Sequence, residues 1–260
     1  MNAPAVLDVE RRDHVLWLTM NRPDALNALN RELKSALIAQ AVTATNDPDV
    51  WIVVLRGAGG RAFSVGADLK EVRRDDEGGA FEVPMHEVSR NVYEAVLEIT
   101  KPTIAVVDGY ALGGGFELAM ACDLRVATTR SVFGLPESTI GMGATFGSVL
   151  LPRLVPRAVA LEMLYFGRRL SATEMVGHGL VNRVWPDEEL DVRLAEWVAE
   201  LRTKAPLTLQ RYKEMATKGW ELPVPANLRL NVGPNPYTAE DRQEGLAAFR
   251  EKRPARWRGR

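Results

Sequence analysis

Two glycine-rich segments of the sequence could hold an anion with backbone amides. Residues 62–69 read Ala-Phe-Ser-Val-Gly-Ala-Asp-Leu, and residues 108–117 place three consecutive glycines before a phenylalanine and a glutamate. Both segments follow apolar, β-branched runs that predict buried strands. Glycine lets the backbone approach a ligand closely and aim N–H groups at negative charge. Because open α/β sheets bind ligands beyond the carboxyl ends of their strands, we expect both segments at such an edge.

Two glutamates accompany these segments. Glu117 ends the second segment, and Glu137 follows Leu135 and Pro136 in an apolar setting. Taken singly, a glycine cluster is also typical of a tight turn, and a glutamate is usually solvated. The combination in this order is what makes the residues candidates for proton transfer beside a bound anion.

Other kinds of site find less support in the sequence. Ser64 lies in a near match to the nucleophile motif G-x-S-x-G, with His178 downstream, but the first glycine is missing. Neither segment has the phosphate-loop pattern G-x-x-x-x-G-K-[ST], and no G-x-G-x-x-G opens a helix. The three histidines lack metal-ligand spacing, so no metal site is expected.

Composition restricts the class of protein. The chain has 260 residues, 46% of them hydrophobic, and a net charge of −1 with both signs interspersed. This balance predicts no nucleic-acid or membrane partner. The single cysteine, Cys122, lies in an apolar stretch and is expected to be a buried, inert thiol in a reducing compartment. With neither a signal sequence nor a membrane span predicted, we expect a cytoplasmic protein.

Predicted strands and helices alternate along the chain. Short apolar runs predict strands at residues 6–10, 15–20, 50–55, 103–107, 124–127 and 180–185. Helices are predicted between them, one beginning after Asn30 as N-cap and another over residues 88–99. This alternation predicts parallel strands joined by crossovers. After Gly141 the pattern is mostly helical, with a capping box at Ser171 and a helix capped by Asp187.

The motifs in this order resemble the enoyl-CoA hydratase/isomerase (crotonase) superfamily, most of all its enoyl-CoA hydratases. Besides the two glycine segments and Glu137, the resemblance is carried by residues 21–29, 101–102, 122–123, 167–172, 179–182 and 244–249. It implies an α/β fold, a crotonase-like spiral of repeated ββα units. Residues 1–205 would form the CoA-binding and catalytic core, and residues 206–260 a helical region for subunit packing. It also implies homotrimers that pair into hexamers.

The resemblance assigns roles to individual residues. The backbone amides of Ala67 and Gly114 would hold the thioester oxygen as an oxyanion. Glu117 would activate water as a base, its pKa lowered by the helix dipole, and Glu137 would act as the acid, its pKa raised by burial. The implied CoA-binding residues are Ala25, Leu26, Ala28, Asp68, Leu69, Lys70, Gly113, Phe249 and Lys252, the last two often supplied by a neighbouring subunit. Coenzyme A would enter as part of the substrate, with no cofactor bound permanently.

One segment departs from the hydratase pattern. Residues 141–149 read Gly-Met-Gly-Ala-Thr-Phe-Gly-Ser-Val, so Ala144 replaces a proline and Thr145 a glycine. Met142, Thr145 and Phe146 are the implied acyl-pocket residues. The expected reaction is addition of water to an α,β double bond, or its reverse. The alternatives are an isomerase, a hydratase or lyase for a branched, cyclic or aromatic acyl-CoA, a silent CoA-binding homologue, and a serine hydrolase using Ser64.

Overall fold

A computed structural model describes residues 5–77 and 90–260. The strands in these ranges are β1 Leu7–Arg12, β2 Val15–Met20, β3 Ile52–Gly57, β4 Ala62–Ser64, β5 Thr103–Val107, β6 Tyr110–Leu112, β7 Leu124–Thr128, β8 Val132–Gly134, β9 Arg169–Ser171 and β10 Arg183–Trp185. The α-helices are α1 Arg31–Asn46, α2 Leu69–Glu77, α3 Val92–Leu97, α4 Gly114–Ala121, α5 Thr145–Leu154, α6 Arg157–Phe166, α7 Ala172–Gly177, α8 Leu190–Arg202, α9 Pro206–Lys218, α10 Val224–Arg229 and α11 Glu240–Glu251.

The larger sheet contains six strands in the order β1-β2-β3-β5-β7-β10. Only the β1–β2 pair is antiparallel among its described pairs, and every other pair is parallel. One face packs on α1, α3 and α4, and the other face packs on α8 through Leu190, Leu194 and Val198. The structure therefore confirms the predicted parallel strands joined by crossovers, with both faces covered.

A smaller sheet is formed by short strands that sequence patterns alone did not predict. Its order is β4-β6-β8-β9, and its first three members each follow a strand of the larger sheet within a few residues. Strand, short strand and helix recur as β5, β6 and α4, which is the repeat of the predicted spiral of ββα units. The two glycine segments, which contain β4 and β6, were predicted as loops, because a three-residue strand is too short to show an alternating pattern.

Several element ends differ from those predicted. Asn30 caps α1 as expected, since its side chain accepts a hydrogen bond from the Leu33 amide, and the Ser171 capping box is present. Asp187 does not cap α8; it begins a 3-10 turn, Asp187–Glu189, and its carboxylate accepts a hydrogen bond from Thr129 instead. The last strand covers only Arg183–Trp185. Helix α3 begins at Val92, and the predicted start at residue 88 lies outside the described residues.

The C-terminal helices leave a large apolar surface uncovered within one chain. Phe249 on α11 is 83% exposed, Tyr237 before it 79%, and Leu228 on α10 71%. The chain end is nevertheless held in place, because the Asp241 carboxylate accepts hydrogen bonds from the amides of Arg258 and Gly259. Of the helices in the described ranges, none is long and apolar enough to cross a membrane.

Candidate active site

The two glycine segments meet at the end of the smaller sheet. Strands β4 and β6 pair in parallel, with Ser64 opposite Ala111. Ala67 lies three residues after Ser64, and Gly114 lies three residues after Ala111. Gly66 has φ +88°, and a Cβ there would come within 2.7 Å of the Gly114 nitrogen. Only glycine combines this backbone conformation with so close an approach. The local backbone therefore brings the segments into contact.

The amides of Ala67 and Gly114 have no acceptor in the described part of the chain. Leu29 forms a parallel bridge with Ala67, receiving the Asp68 N–H at 3.4 Å and donating to the Gly66 carbonyl at 2.7 Å. Because successive peptide groups of an extended chain alternate in direction, the Ala67 N–H points away from Leu29. Gly114 is the first residue of α4, where the N–H has no intrahelical partner. Among the described residues, neither N–H is bonded to an acceptor.

A polar clamp fixes the first segment. Arg22 donates to the Asp68 carboxylate at 2.8 Å, and this hydrogen bond lowers the pKa of Asp68. Asn27, fully buried, donates to the carbonyls of Ala58 and Ala62 at 3.0 and 2.8 Å. The two side chains tie residues 21–29 to the chain on both sides of β4. The Asp68 carboxylate is thus used within the protein.

Glu117 is buried in the first turn of α4. Its Oε1 accepts a 2.6 Å hydrogen bond from the Gly147 amide, and the side chain is 5% exposed. Burial raises its pKa to about 7, against the opposing effect of the Gly147 hydrogen bond. The predicted lowering of this pKa is therefore wrong. The helix dipole contributes less than the loss of hydration does at a side chain with so little contact with water.

Glu137 lies beside Gly113 of the second glycine segment. A Cβ on Gly113 would be 2.9 Å from its Oε1, and its Oε2 is buried with no hydrogen-bond partner among the described residues. Burial raises the pKa of Glu137, as the sequence predicted. The charge of Glu137 in turn raises the pKa of Glu117. The two carboxyl groups therefore share one site beside Gly113 and Gly114.

The segment expected to form the acyl pocket leads into α5. Met142 lies in the turn after the 3-10 helix Pro136–Ile140, and Thr145 is the first residue of α5. The Phe146 ring stacks on Tyr93 of α3, with centroids 5.3 Å apart. Sequence patterns gave no sign of Tyr93, because an aromatic residue between apolar helix positions is typical of ordinary packing.

Comparison with known proteins identifies the family. A sequence model described as enoyl-CoA hydratase/isomerase matches residues 10–260. The chain belongs to the enoyl-CoA hydratase/isomerase family. It is 35% identical to an (E)-benzylidenesuccinyl-CoA hydratase of Thauera aromatica, over 98% of this chain and 99% of that protein. A carnitinyl-CoA dehydratase of Salmonella typhi is 36% identical, with 98% of both chains covered.

Solved structures give the same result for the fold. An enoyl-CoA hydratase from Bacillus anthracis superposes with a TM-score of 0.88 at 32% identity, covering 98% of this chain and all of that one. The crotonase fold predicted from the sequence motifs is therefore confirmed for this member of the enoyl-CoA hydratase/isomerase family.

The remaining positions implied by the family resemblance divide into two groups. Those of the first segment lie together: Ala25, Leu26 and Ala28 precede the Leu29 bridge, and Leu69 and Lys70 begin α2 beyond Ala67. Phe249 and Lys252 lie at the C-terminal end of α11. No hydrogen bond or ion pair within the described chain joins these two C-terminal residues to the glycine segments. The CoA contacts of both groups stay predictions.

The alternative nucleophiles fit the structure poorly. Ser64 is fully buried, and its hydroxyl accepts a 3.2 Å hydrogen bond from the Gly66 amide. In the described structure no hydrogen bond links Ser64 to His178. Burial raises the pKa of Cys122 to about 12, so the thiol is inert as predicted. The described residues also contain no group of three or more metal-ligating side chains placed to hold an ion.

Proposed function

We propose that this protein is an enoyl-CoA hydratase-type lyase that adds water across the α,β double bond of an acyl-CoA, or removes it. One observation carries the proposal: the amides of Ala67 and Gly114, which have no acceptor among the described residues, lie beside the buried carboxyl group of Glu117 and the half-buried one of Glu137. Family membership supports the same reaction class, because the similar proteins include a hydratase and a dehydratase of CoA thioesters.

The two amides would stabilise the enolate that forms when water adds to the double bond. As the oxygen of water bonds to Cβ, the electrons of the double bond move toward the thioester carbonyl, whose oxygen becomes negative. Donors already oriented toward that oxygen lower the barrier without reorganisation. The Gly114 amide has the additional advantage of the positive end of α4.

The two glutamates would move the protons. Glu117 accepts a proton from water as the C–O bond forms at Cβ, and a pKa of about 7 suits a base that acts near neutral pH. Glu137, whose pKa burial also raises, delivers a proton to Cα as the enolate collapses. The reverse sequence eliminates water. Two carboxyl groups weigh against a simple double-bond isomerase, which usually needs one, and against a silent CoA-binding homologue.

A panel of enoyl-CoA thioesters tests the reaction. We expect the wild-type protein to consume at least one straight-chain, branched or aromatic enoyl-CoA. The loss of ultraviolet absorbance of the enoyl-CoA measures this consumption. The Phe146 and Tyr93 rings make aromatic substrates an essential part of the panel, and the Thauera aromatica relative supports including them. Glu137→Gln should slow the reaction by about a hundredfold or more.

Two outcomes would count against the assignment. If no member of the panel is hydrated and no 3-hydroxyacyl-CoA is dehydrated, the hydratase proposal falls. If Glu137→Gln retains the full hydration rate, Glu137 is not the acid at Cα.

We further propose that residues 206–260 pack against neighbouring subunits in trimers or pairs of trimers. The strongly exposed apolar side chains of α10 and α11 support this, because large apolar side chains grouped in one region of the surface often mark an interface. Phe249 and Lys252 would then contact the adenine end of CoA in an adjacent subunit. The protein would act in the cytoplasm, with coenzyme A as part of its substrate and no permanently bound cofactor.

Mass measurement tests the assembly. Light scattering should give three or six times the 28.8 kDa chain mass, and Leu228→Asp should lower it, because the charge would be buried at the interface. Val192→Asp, at an apolar position of α8 that is also exposed, is the matched control and should leave the mass unchanged. A monomeric wild-type protein would contradict the proposal.

A further inference from the structure

Tyr93 lies against the second glycine segment, beside the start of α4. Its hydroxyl lies where a Cβ on Gly114 would point, within 2.3 Å of that position. The same hydroxyl is close enough to the Glu117 carboxylate to lower its pKa as a donor. One phenol therefore lies against the helix start that carries the Gly114 amide and acts on the carboxyl group assigned to water activation.

The ring of Tyr93 also supports the other partner of Glu117. It stacks on Phe146 at 5.3 Å with 27° between the ring planes, and the next residue, Gly147, donates its amide to Glu117. Helices α3 and α5 thus reach Glu117 from two sides, through a hydroxyl and an amide. Both donors favour the charged carboxylate.

The way in which the hydroxyl acts on Glu117 follows from the state of the phenol. Burial, together with the nearby carboxylates of Glu117 and Glu137, raises the pKa of Tyr93 well above its ordinary value. The hydroxyl therefore keeps its proton and donates it toward Glu117. Hydrogen bonds from a neutral donor to a charged acceptor are among the stronger ones in proteins.

We propose that Tyr93 is a positioning residue of the hydration reaction, whose hydroxyl holds the Glu117 carboxylate toward the Gly113–Gly114 site and stabilises its charged, water-activating form. This inference rests on the proposed function. The groups that face Glu117 are Tyr93 from α3, the amides of Phe146 and Gly147 from α5, and the carboxyl group of Glu137. Without the hydroxyl, only the two amides would favour the charged form of Glu117. Repulsion from Glu137 and loss of hydration would oppose that form.

Tyr93→Phe tests the inference because it removes the hydroxyl and keeps the ring that stacks on Phe146. The acid limb of the kcat/KM profile should lie near pH 7 in the wild type. In the variant it should move to higher pH by about one unit, since a donor to the charged form has been lost. At pH 7 kcat should fall about fivefold, because a smaller fraction of Glu117 is charged, with KM nearly unchanged. Tyr212→Phe, which removes an exposed hydroxyl on α9, should alter neither quantity.

A second measurement does not depend on turnover. The carboxyl infrared bands of Glu117, assigned by difference from Glu117→Gln, should titrate at higher pH in Tyr93→Phe than in the wild type. An unmoved titration and an unmoved acid limb would overturn the inference, even if kcat fell, because a purely structural role predicts that combination. A shifted titration in a protein that hydrates no enoyl-CoA would retain the Tyr93–Glu117 pairing and reject the hydratase proposal.

Discussion

Glu117→Gln is expected to lower kcat for hydration by about 10²–10⁴-fold, because glutamine cannot accept a proton from water. The substitution keeps the size of the side chain and an oxygen that can accept the Gly147 amide. Binding of the acyl-CoA should therefore change little, and the loss should appear in kcat. Hydration of the best panel substrate, followed by ultraviolet absorbance, provides the measurement.

Glu188→Gln is the matched control for this substitution. Glu188 is exposed in the 3-10 turn before α8, so its loss of charge should leave kcat unchanged. Hydration by Glu117→Gln at a rate close to that of the wild type would rule out Glu117 as the base.

Glu117→Gln should also stabilise the fold at alkaline pH. Burial raises the pKa of Glu117 from 4.5 to about 7, so the folded state holds this proton more tightly than the unfolded state does. Wild-type stability therefore falls as pH rises from about 4.5 to 7 and stays lower above it, by at most about 3 kcal/mol for this group. Denaturant unfolding of Glu117→Gln should show a gain at pH 8 that disappears near pH 5.

Ala67→Pro is expected to lower kcat/KM by about 10²–10³-fold, because proline removes one of the two proposed oxyanion donors. A backbone amide cannot be deleted by any other substitution at this position. The fold should tolerate the change: Ala67 is exposed, its N–H bonds no acceptor among the described residues, and Gly66 before it has no Cβ to meet the ring.

Ala67→Ser separates the amide from the side chain. It keeps the N–H and should retain most of the activity, whereas Ala67→Pro should not. Circular dichroism and light scattering would establish that both variants keep the wild-type fold and mass. Wild-type kcat/KM in a folded Ala67→Pro would show that the Ala67 amide does not stabilise the transition state.

Structural elements that are encoded by long or strongly patterned stretches of sequence could be predicted. The runs that form β2, β3, β5 and β7 are apolar enough to require cover on both faces, and that pattern led to the parallel sheet. The cap at Asn30 and the capping box at Ser171 are local hydrogen bonds that the sequence encodes directly. Glu117 and Glu137 were predictable as a pair because they follow the two glycine segments in the order typical of the family.

Features that depend on distant neighbours were not predictable. Strands β4, β6 and β8 exist because they pair with one another, and three residues carry no period. The pKa of Glu117 depends on the layers that bury it, which a helix position alone does not specify. Tyr93 enters the site through the approach of α3 to α4 and α5, and nothing in residues 90–99 distinguishes it from a packing residue.

The parallel pairing of β4 with β6 has a consequence for how this enzyme could diversify. Ala67 and Gly114 follow equivalent positions on adjacent strands, so the spacing between their amides is inherited from the sheet, at about 4.8 Å per strand, and owes little to side-chain identity. Mutation can thus remodel residues 141–149, the proposed acyl-binding segment, while the proposed main-chain donors keep their places. Such a division lets new substrates evolve without rebuilding the part of the site that stabilises charge.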